Sequence, residues 1–373
     1  MIIKKLELNN FRNYETVSIE LSEGINILYG DNAQGKTNLL EAMYMGCTTK
    51  ALRAAKEREL IRFGDEEAHL RMYIRKNDID RKIDMHLKKN KTKGVAIDGI
   101  PVAKAAEVYG MMNIISFSPD DLSIIKNGPA ERRRFLDMEL CQLDRSYMYN
   151  LASYNKALAQ RNVLLKQISS NKELESTLQI WDEQIVKYGS YLIDKRKIFI
   201  SELNEIAADI HKKLTNGEES LELIYVPDCT ADDISLKLAL NHEKDYLLKV
   251  TGVGPHRDDI EFRINGSDSR KYGSQGQQRT VALTLKLAEI ELVKKKVGDN
   301  PVLLLDDVLS ELDRNRQTQL LDSIDNIQTI ITCTGLQEFV NDRIKYDRIF
   351  RVTKGTVCDF DFAINDKTEG KDE

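Results

Sequence analysis

The feature that most constrains this chain is the octapeptide Gly30-Asp31-Asn32-Ala33-Gln34-Gly35-Lys36-Thr37. The short apolar run Gly24-Ile25-Asn26-Ile27-Leu28-Tyr29 precedes it and reads as a strand. Beyond it, Leu39, Leu40, Ala42 and Met43 share one side of a helix expected to start near Lys36. A strand, a glycine-bounded loop and a helix in this order complete a Walker A phosphate loop. Glycine lets backbone N–H groups face phosphate oxygens without Cβ clashes. Lys36 brings a point charge to the terminal phosphates, and Thr37 offers a hydroxyl to Mg²⁺. ATP and Mg²⁺ are the expected ligands.

A second segment answers the first. Val302-Leu303-Leu304-Leu305 is an apolar strand that ends in Asp306-Asp307. A buried carboxylate is costly unless it is paired or metal-bound. Phosphate loops usually work with a carboxylate on a neighbouring strand that helps hold Mg²⁺, which makes Asp306 the expected partner of Thr37. The two residues are 269 positions apart, so the two ends of the chain must build one nucleotide domain. The expected organisation is an α/β head from residues 1–115 and 240–373, with a helical lobe, 116–239, inserted in it.

The rest of the chain is read around that frame. Ile3, Leu6 and Leu8 are expected near a sheet edge, and Val17, Ile19 and Leu21 alternate as a strand. Residues 68–100 read as a β-meander with turns at Asn77-Asp78 and Asp98-Gly99. Between about 130 and 215 there is no proline and one glycine, Gly189. Leu151, Tyr154, Leu158 and Leu165 recur there at helical spacing, predicting two long helices broken near Ser169-Ser170-Asn171. Further expectations are a helix from Gln277 to Lys296, a strand from Ile327 to Thr332, and a disordered charged tail from Asp366 to Glu373.

Composition excludes some classes. No run approaches the about 20 apolar residues of a membrane span, and the first residues lack the apolar core of a signal peptide. The five cysteines are scattered without a C-x-x-C pair, which predicts a reduced, cytoplasmic protein. The net charge of −5 leaves any nucleic-acid role to local basic patches. Residues 71–93 hold nine Lys and Arg against Asp78, Asp80 and Asp84, and Arg132-Arg133-Arg134 form a second cluster. DNA contacts are accordingly expected at Arg75, Lys76, Arg81, Lys82, Lys88, Lys89, Arg132 and Arg133, salt-sensitive and largely indifferent to sequence. Solvated charged faces explain the same residues, and Arg132 to Arg134 also suit packing.

Ser274-Gln275-Gly276-Gln277-Gln278-Arg279 opens the helix before the Asp306 strand. Small residues and amides at a helix start suit an N-cap or an anion site. In this position the segment resembles the signature motif of ABC-type ATPases, and Ser310-Glu311-Leu312-Asp313 resembles their D-loop. Two further segments, Asn10-Phe11-Arg12-Asn13-Tyr14 and Phe117-Ser118-Pro119-Asp120-Asp121-Leu122, come before these. With Gly254-Pro255-His256-Arg257-Asp258-Asp259, the whole ordered set is similar to the RecF family, relatives of SMC and Rad50 ATPases.

The resemblance implies an ATP-driven head-to-tail homodimer that binds DNA at single-strand/duplex gaps. With RecO and RecR it would promote RecA loading and SOS induction, and slow hydrolysis would release the dimer. It implies that Arg12 joins Gly30 to Thr37 at ATP, and that Ser274 to Arg279 act in trans. Asp307 stands where most ABC ATPases carry a catalytic glutamate. The sequence departs from those ATPases at Ala33, often glycine, and in having Thr332-Cys333-Thr334 where transporters have a switch histidine; Thr332 or Thr334 is the expected γ-phosphate sensor. An SMC- or Rad50-like structural ATPase, the main alternative, would need hundreds of heptad residues. A transporter ATPase would carry a Leu-Ser-Gly-Gly-Gln signature. A P-loop kinase would leave Ser274 to Arg279 unexplained.

Overall fold

The computed structural model describes residues 1–52, 56–168, 172–335 and 346–359. The chain divides into two compact units, Met1–Pro119 with Val293–Glu373, and Asp120–Leu292. Residues 240–292 thus fall in the second unit. No helix is long and apolar enough to cross a membrane among the described residues.

The first unit holds two six-stranded sheets. One is antiparallel, built from β1 (Ile2–Phe11), β2 (Tyr14–Glu20), β4 (Glu67–Lys76), β5 (Ile79–Lys88), β6 (Gly94–Ile97) and β7 (Ile100–Pro101), in the order β2-β1-β4-β5-β6-β7. The meander is therefore found as expected, and β1 lies near the edge of the sheet, one strand in. The turn at Arg12, at φ 55°, folds β2 back over it and makes β2 the edge. Ile3 and Leu6 are both buried although three apart, against strict alternation. The register with β4 slips between Ile3 and Lys5, a bulge that turns both side chains to one face.

The other sheet contains β3 (Ile25–Tyr29), β8 (Ile114–Phe117), β12 (Val302–Asp306), β13 (Thr329–Cys333), β14 (Arg348–Thr353) and β15 (Thr356–Asp359), ordered β15-β14-β3-β13-β12-β8. Apart from the β14–β15 hairpin, its pairs are parallel. Strands β12 and β13 are buried throughout, as continuous Val, Leu and Ile runs in parallel sheets are. β3 and β12 are not neighbours. β13 lies between them and all three run parallel, so their C-terminal ends share one edge of the sheet, the usual ligand side in such sheets.

The second unit is helical, with a small antiparallel sheet ordered β11-β10-β9 from β9 (Leu221–Val226), β10 (Asp259–Ile264) and β11 (Ser267–Asp268). Three helices replace the two expected between 129 and 214: Pro129–Leu143, Arg145–Ile168 and Leu178–Leu214. The additional break is Asp144. Its extended backbone ends the first helix, and its carboxylate accepts the Ser146 and Tyr147 N–H groups, capping the second. The expected break at Ser169-Ser170-Asn171 lies outside the described residues. Gly189 sits where a Cβ would come within 2.7 Å of the Ile234 side-chain end and 3.2 Å of the Tyr154 ring, so alanine there would force these side chains to shift.

The Gly254–Asp259 segment anchors these helices. Arg196, 2 % exposed, donates to the Pro255 carbonyl at 2.6 Å and the Asp258 carboxylate at 2.9 Å. Tyr154 hydroxyl meets His256 Nδ1 at 2.7 Å. Elsewhere in the unit, buried Lys286 pairs with Asp121 at 3.3 Å and Glu289 at 3.2 Å. One ammonium faces these two carboxylates and that of buried Glu139. Burial raises the Glu139 carboxyl to about 7, with Lys286 opposing. A carboxyl whose pKa is raised on folding costs stability as pH climbs from its unfolded value through its folded one. Glu139→Gln is expected to raise the thermal unfolding midpoint at pH 8 and change it little at pH 4; denaturation scans at the two pH values check this.

Candidate functional site

The strand–loop–helix around Gly30 is folded as the sequence implies, and the helix Lys36–Thr48 begins at Lys36. Gly30 passes so close to Val352 that a Cβ would sit 2.2 Å from its carbonyl oxygen. Gly35 has φ 117°, open to glycine alone in practice. Lys36, 5 % exposed, donates its ammonium to the Gly30 carbonyl at 2.5 Å and that of Asp31 at 3.0 Å. The charge is thus drawn back over the loop it serves.

Asp306 and Thr37 meet across the gap of 269 residues: the Thr37 hydroxyl donates to Asp306 Oδ1 at 2.8 Å. Thr332, at the end of the intervening β13, donates its hydroxyl to the same oxygen at 2.9 Å and accepts the Asp307 N–H at 2.9 Å. Adjacent ligands of an octahedral Mg²⁺ at about 2.1 Å stand about 3 Å apart. A hydroxyl and a buried carboxylate at 2.8 Å match that spacing with the hard oxygens this ion takes. Asp307 itself has φ 54°, a left-handed conformation that non-glycine residues pay to hold.

The loop is braced by residues that motif reading alone did not assign. Asn13 donates to the Gln34 carbonyl at 2.9 Å and Tyr14 to the Gly35 carbonyl at 3.0 Å. Lys354 N–H donates to the Gln34 side chain at 2.7 Å, tying the loop to the β14–β15 hairpin. Arg12, expected at ATP, pairs with buried Glu41 at 2.8 Å and donates to the Glu59 carbonyl at 2.9 Å. The clue in the sequence was the Asn13-Tyr14 pair, polar groups just after an apolar strand.

Ser274 to Arg279, in the second unit, start the helix Gln275–Val297. Ser274 and Gln277 form a reciprocal capping box, Ser274 N–H to Gln277 Oε1 at 2.9 Å and Gln277 N–H to Ser274 Oγ at 3.2 Å. Ser274, Gln275, Gly276 and Arg279 are exposed. Gln278 departs from the expected surface role: it is buried and donates to the Ser269 carbonyl at 2.9 Å.

The basic clusters need correction. Arg132 is 2 % exposed, paired with Asp259 and donating to the Ile124 and Asn127 carbonyls, so it faces no ligand. Arg133 donates to the Asp258 carbonyl at 2.8 Å. On the meander, Arg75 pairs with Asp80, Arg81 with Asp98, Lys82 with Asp84, Lys88 with Glu67 and Lys89 with Glu66. Lys76 donates to the Gly110 carbonyl. Sheet pairing and turns bring up acidic partners, Glu66, Glu67 and Asp98, that the count within 71–93 underestimated.

The phosphate loop, the strand-end aspartates and the parallel sheet define an ABC-type ATPase head. The model of the RecF/RecN/SMC N terminal domain matches residues 2–357. The chain is 61 % identical over 357 residues to the DNA replication and repair protein RecF of Lachnoclostridium phytofermentans, covering 96 % of this chain and 99 % of the relative. Against the RecF of Clostridium novyi it is 46 % identical over 365 residues, with the same coverage. A solved structure described as the recombination mediator protein RecF with ATP in the RecFOR pathway superposes with TM-score 0.90 at 36 % identity, over 96 % of this chain and 97 % of that one. An Smc head bound to the C-winged helix domain of ScpA, 19 % identical over 97 % of this chain and 98 % of that one, shares the fold with TM-score 0.57. The chain belongs to the RecF family of DNA replication and repair proteins.

Ala33 holds φ 63° in the phosphate loop. That conformation costs a residue with a Cβ about 1–2 kcal/mol, more than the about 0.4–1 kcal/mol of extra chain entropy that glycine brings. Ala33→Gly is expected to stabilise the nucleotide-free protein by about 0.5–1 kcal/mol, seen as a rise in its thermal midpoint.

Proposed function

We propose that this chain is an ATP-controlled DNA-binding protein of recombinational repair and replication restart, working in the cytoplasm as a homodimer. The observation that carries the reading is the convergence of Thr37, Thr332 and Asp306 beside the phosphate loop. Gly30 to Thr37 bind the phosphates of ATP, with Lys36 leaving its carbonyl partners for the terminal phosphates. Thr37 and Asp306 are the residues that would hold Mg²⁺, which supplies charge neutralisation at those phosphates. Thr332 keeps the Asp306 carboxylate aimed and couples it to the backbone of Asp307. Asp307 orients the attacking water. Its short side chain reaches less far than a glutamate, which suits slow hydrolysis.

The exposed start of the helix at Gln275 offers backbone N–H groups and the Ser274 hydroxyl to an anion. In a head-to-tail dimer, Ser274, Gly276 and Gln277 of one copy cover the γ-phosphate held by the other. Two ATP molecules then close the dimer on DNA, at single-strand/duplex gaps. Arg81, Lys82, Lys88 and Lys89 contact phosphates by exchanging surface ion pairs, each worth about 0–1 kcal/mol. RecO and RecR are the proposed partners in loading RecA and inducing the SOS response. Hydrolysis releases the dimer.

ATP is expected to shift the wild type from monomer to dimer in gel filtration and to leave Lys36→Met monomeric; an equal shift in both would overturn the reading. Asp307→Asn, which tolerates the left-handed backbone, is expected to keep the ATP-bound dimer and lose turnover. Unaltered turnover would remove Asp307 from catalysis. Affinity for gapped duplex DNA is expected to fall steeply as salt rises; flat affinity in a salt titration would count against phosphate contacts.

A further inference from the structure

The open face of the antiparallel sheet carries a cluster that the ATPase reading does not use. His69 on β4 stands directly opposite His86 on β5 in the strand register. Their rings stack with centroids 4.0 Å apart and planes 19° apart. Glu67 lies two residues before His69, hence on the same face by the strand period of two. Its carboxylate meets His86 Nε2 at 3.1 Å. One ligand atom from each of Glu67, His69 and His86 lies within 4.8 Å of the other two. These are the residues among the described ones that form such a group. His69 and His86 line a surface groove of about 570 Å³ that also takes in residues of β1, β2 and β6.

We propose that Glu67, His69 and His86 form a binding site for a divalent transition-metal ion of the zinc class, with open coordination positions facing the groove. The donor set of two imidazoles and a carboxylate is one that zinc takes with water in the remaining position. Adjacent ligands of a tetrahedral zinc at about 2.0–2.1 Å lie about 3.3 Å apart. Glu67 and His86 already stand at 3.1 Å, and the remaining separations close by rotation of the exposed His69 side chain and the half-buried Glu67 and His86. The two strands hold the donors, so little ordering is left for the ion to impose.

The cluster also contains its own competitor. Lys88, opposite Glu67 in the register, pairs with the same carboxylate oxygen at 2.8 Å. A metal ion must displace that ammonium. The site therefore exchanges one charge at Glu67 for another, and metal binding would turn Lys88 out toward solvent.

The test is a Zn²⁺ titration of the full chain by calorimetry, with Co²⁺ as a spectroscopic probe. The wild type is expected to bind one more Zn²⁺ than His69→Ala/His86→Ala, with Co²⁺ ligand-field bands that the double variant lacks. Glu67→Gln should weaken binding at least tenfold, and Lys88→Met, which removes the competitor, should tighten it. Circular dichroism checks that the variants fold; all four positions lie on the outward face of the sheet. Zinc binding unchanged in the double variant, or no zinc binding by the wild type, overturns the proposal. So does a Lys88→Met affinity at or below that of the wild type.

Discussion

The carboxylate of Asp306 accepts a hydroxyl from Thr37 and another from Thr332 on a single oxygen, in surroundings that leave the residue 2 % exposed. Thr37 comes from the first turn of the helix Lys36–Thr48, 269 residues before Asp306, and Thr332 from β13, 26 residues after it. A carboxylate so buried would be costly without such partners. The requirement that it be met by both Thr37 and Thr332 fixes the order of the central strands, β3-β13-β12, and with it the joining of the two ends of the chain. The second unit can then only be an insertion.

Around that oxygen the backbone is held in unusual conformations. Gly35, Ala33 and Asp307 have positive φ, and Gly30 leaves no room for a side chain. Such conformations persist because neighbours over-determine them. Here the neighbours are Asn13 and Tyr14 from the β1–β2 hairpin and Lys354 from the β14–β15 hairpin. The antiparallel sheet thus serves the parallel one: its first turn is the floor of the phosphate loop.

Much of this was legible in the sequence, for definite reasons. Glycine spacing has one main structural use before a helix, so Gly30 to Thr37 declared itself. A strand ending in Asp306-Asp307 needed a partner, and the partner was readable. What escaped was set by tertiary neighbours. The break in the alternation of β1 is a bulge near Lys4, visible only in its register with β4. Asp144 stops one helix and caps the next, and within a proline-free stretch a single aspartate gives little warning. For Arg132 the sequence leaves DNA contact and packing both open, because charge gives no sign of burial; its partner Asp259, 127 residues away, decides for packing. The acidic partners on the meander appear only after the strands are paired.

The strand order also has a consequence in time. β3 carries the phosphate loop, yet both of its neighbours, β13 and β14, lie in the last segment of the chain. At about 5–20 residues per second, the roughly 300 residues between β3 and β13 take about 15–60 s to emerge. Throughout that interval an apolar strand with two unpaired edges waits on the ribosome, the arrangement most exposed to wrong pairing. The inserted unit, completed first, can be packed before the head that surrounds it in sequence exists. Nucleotide competence is therefore the last property this chain acquires, and a truncated product would carry the phosphate loop without the sheet that makes it a site.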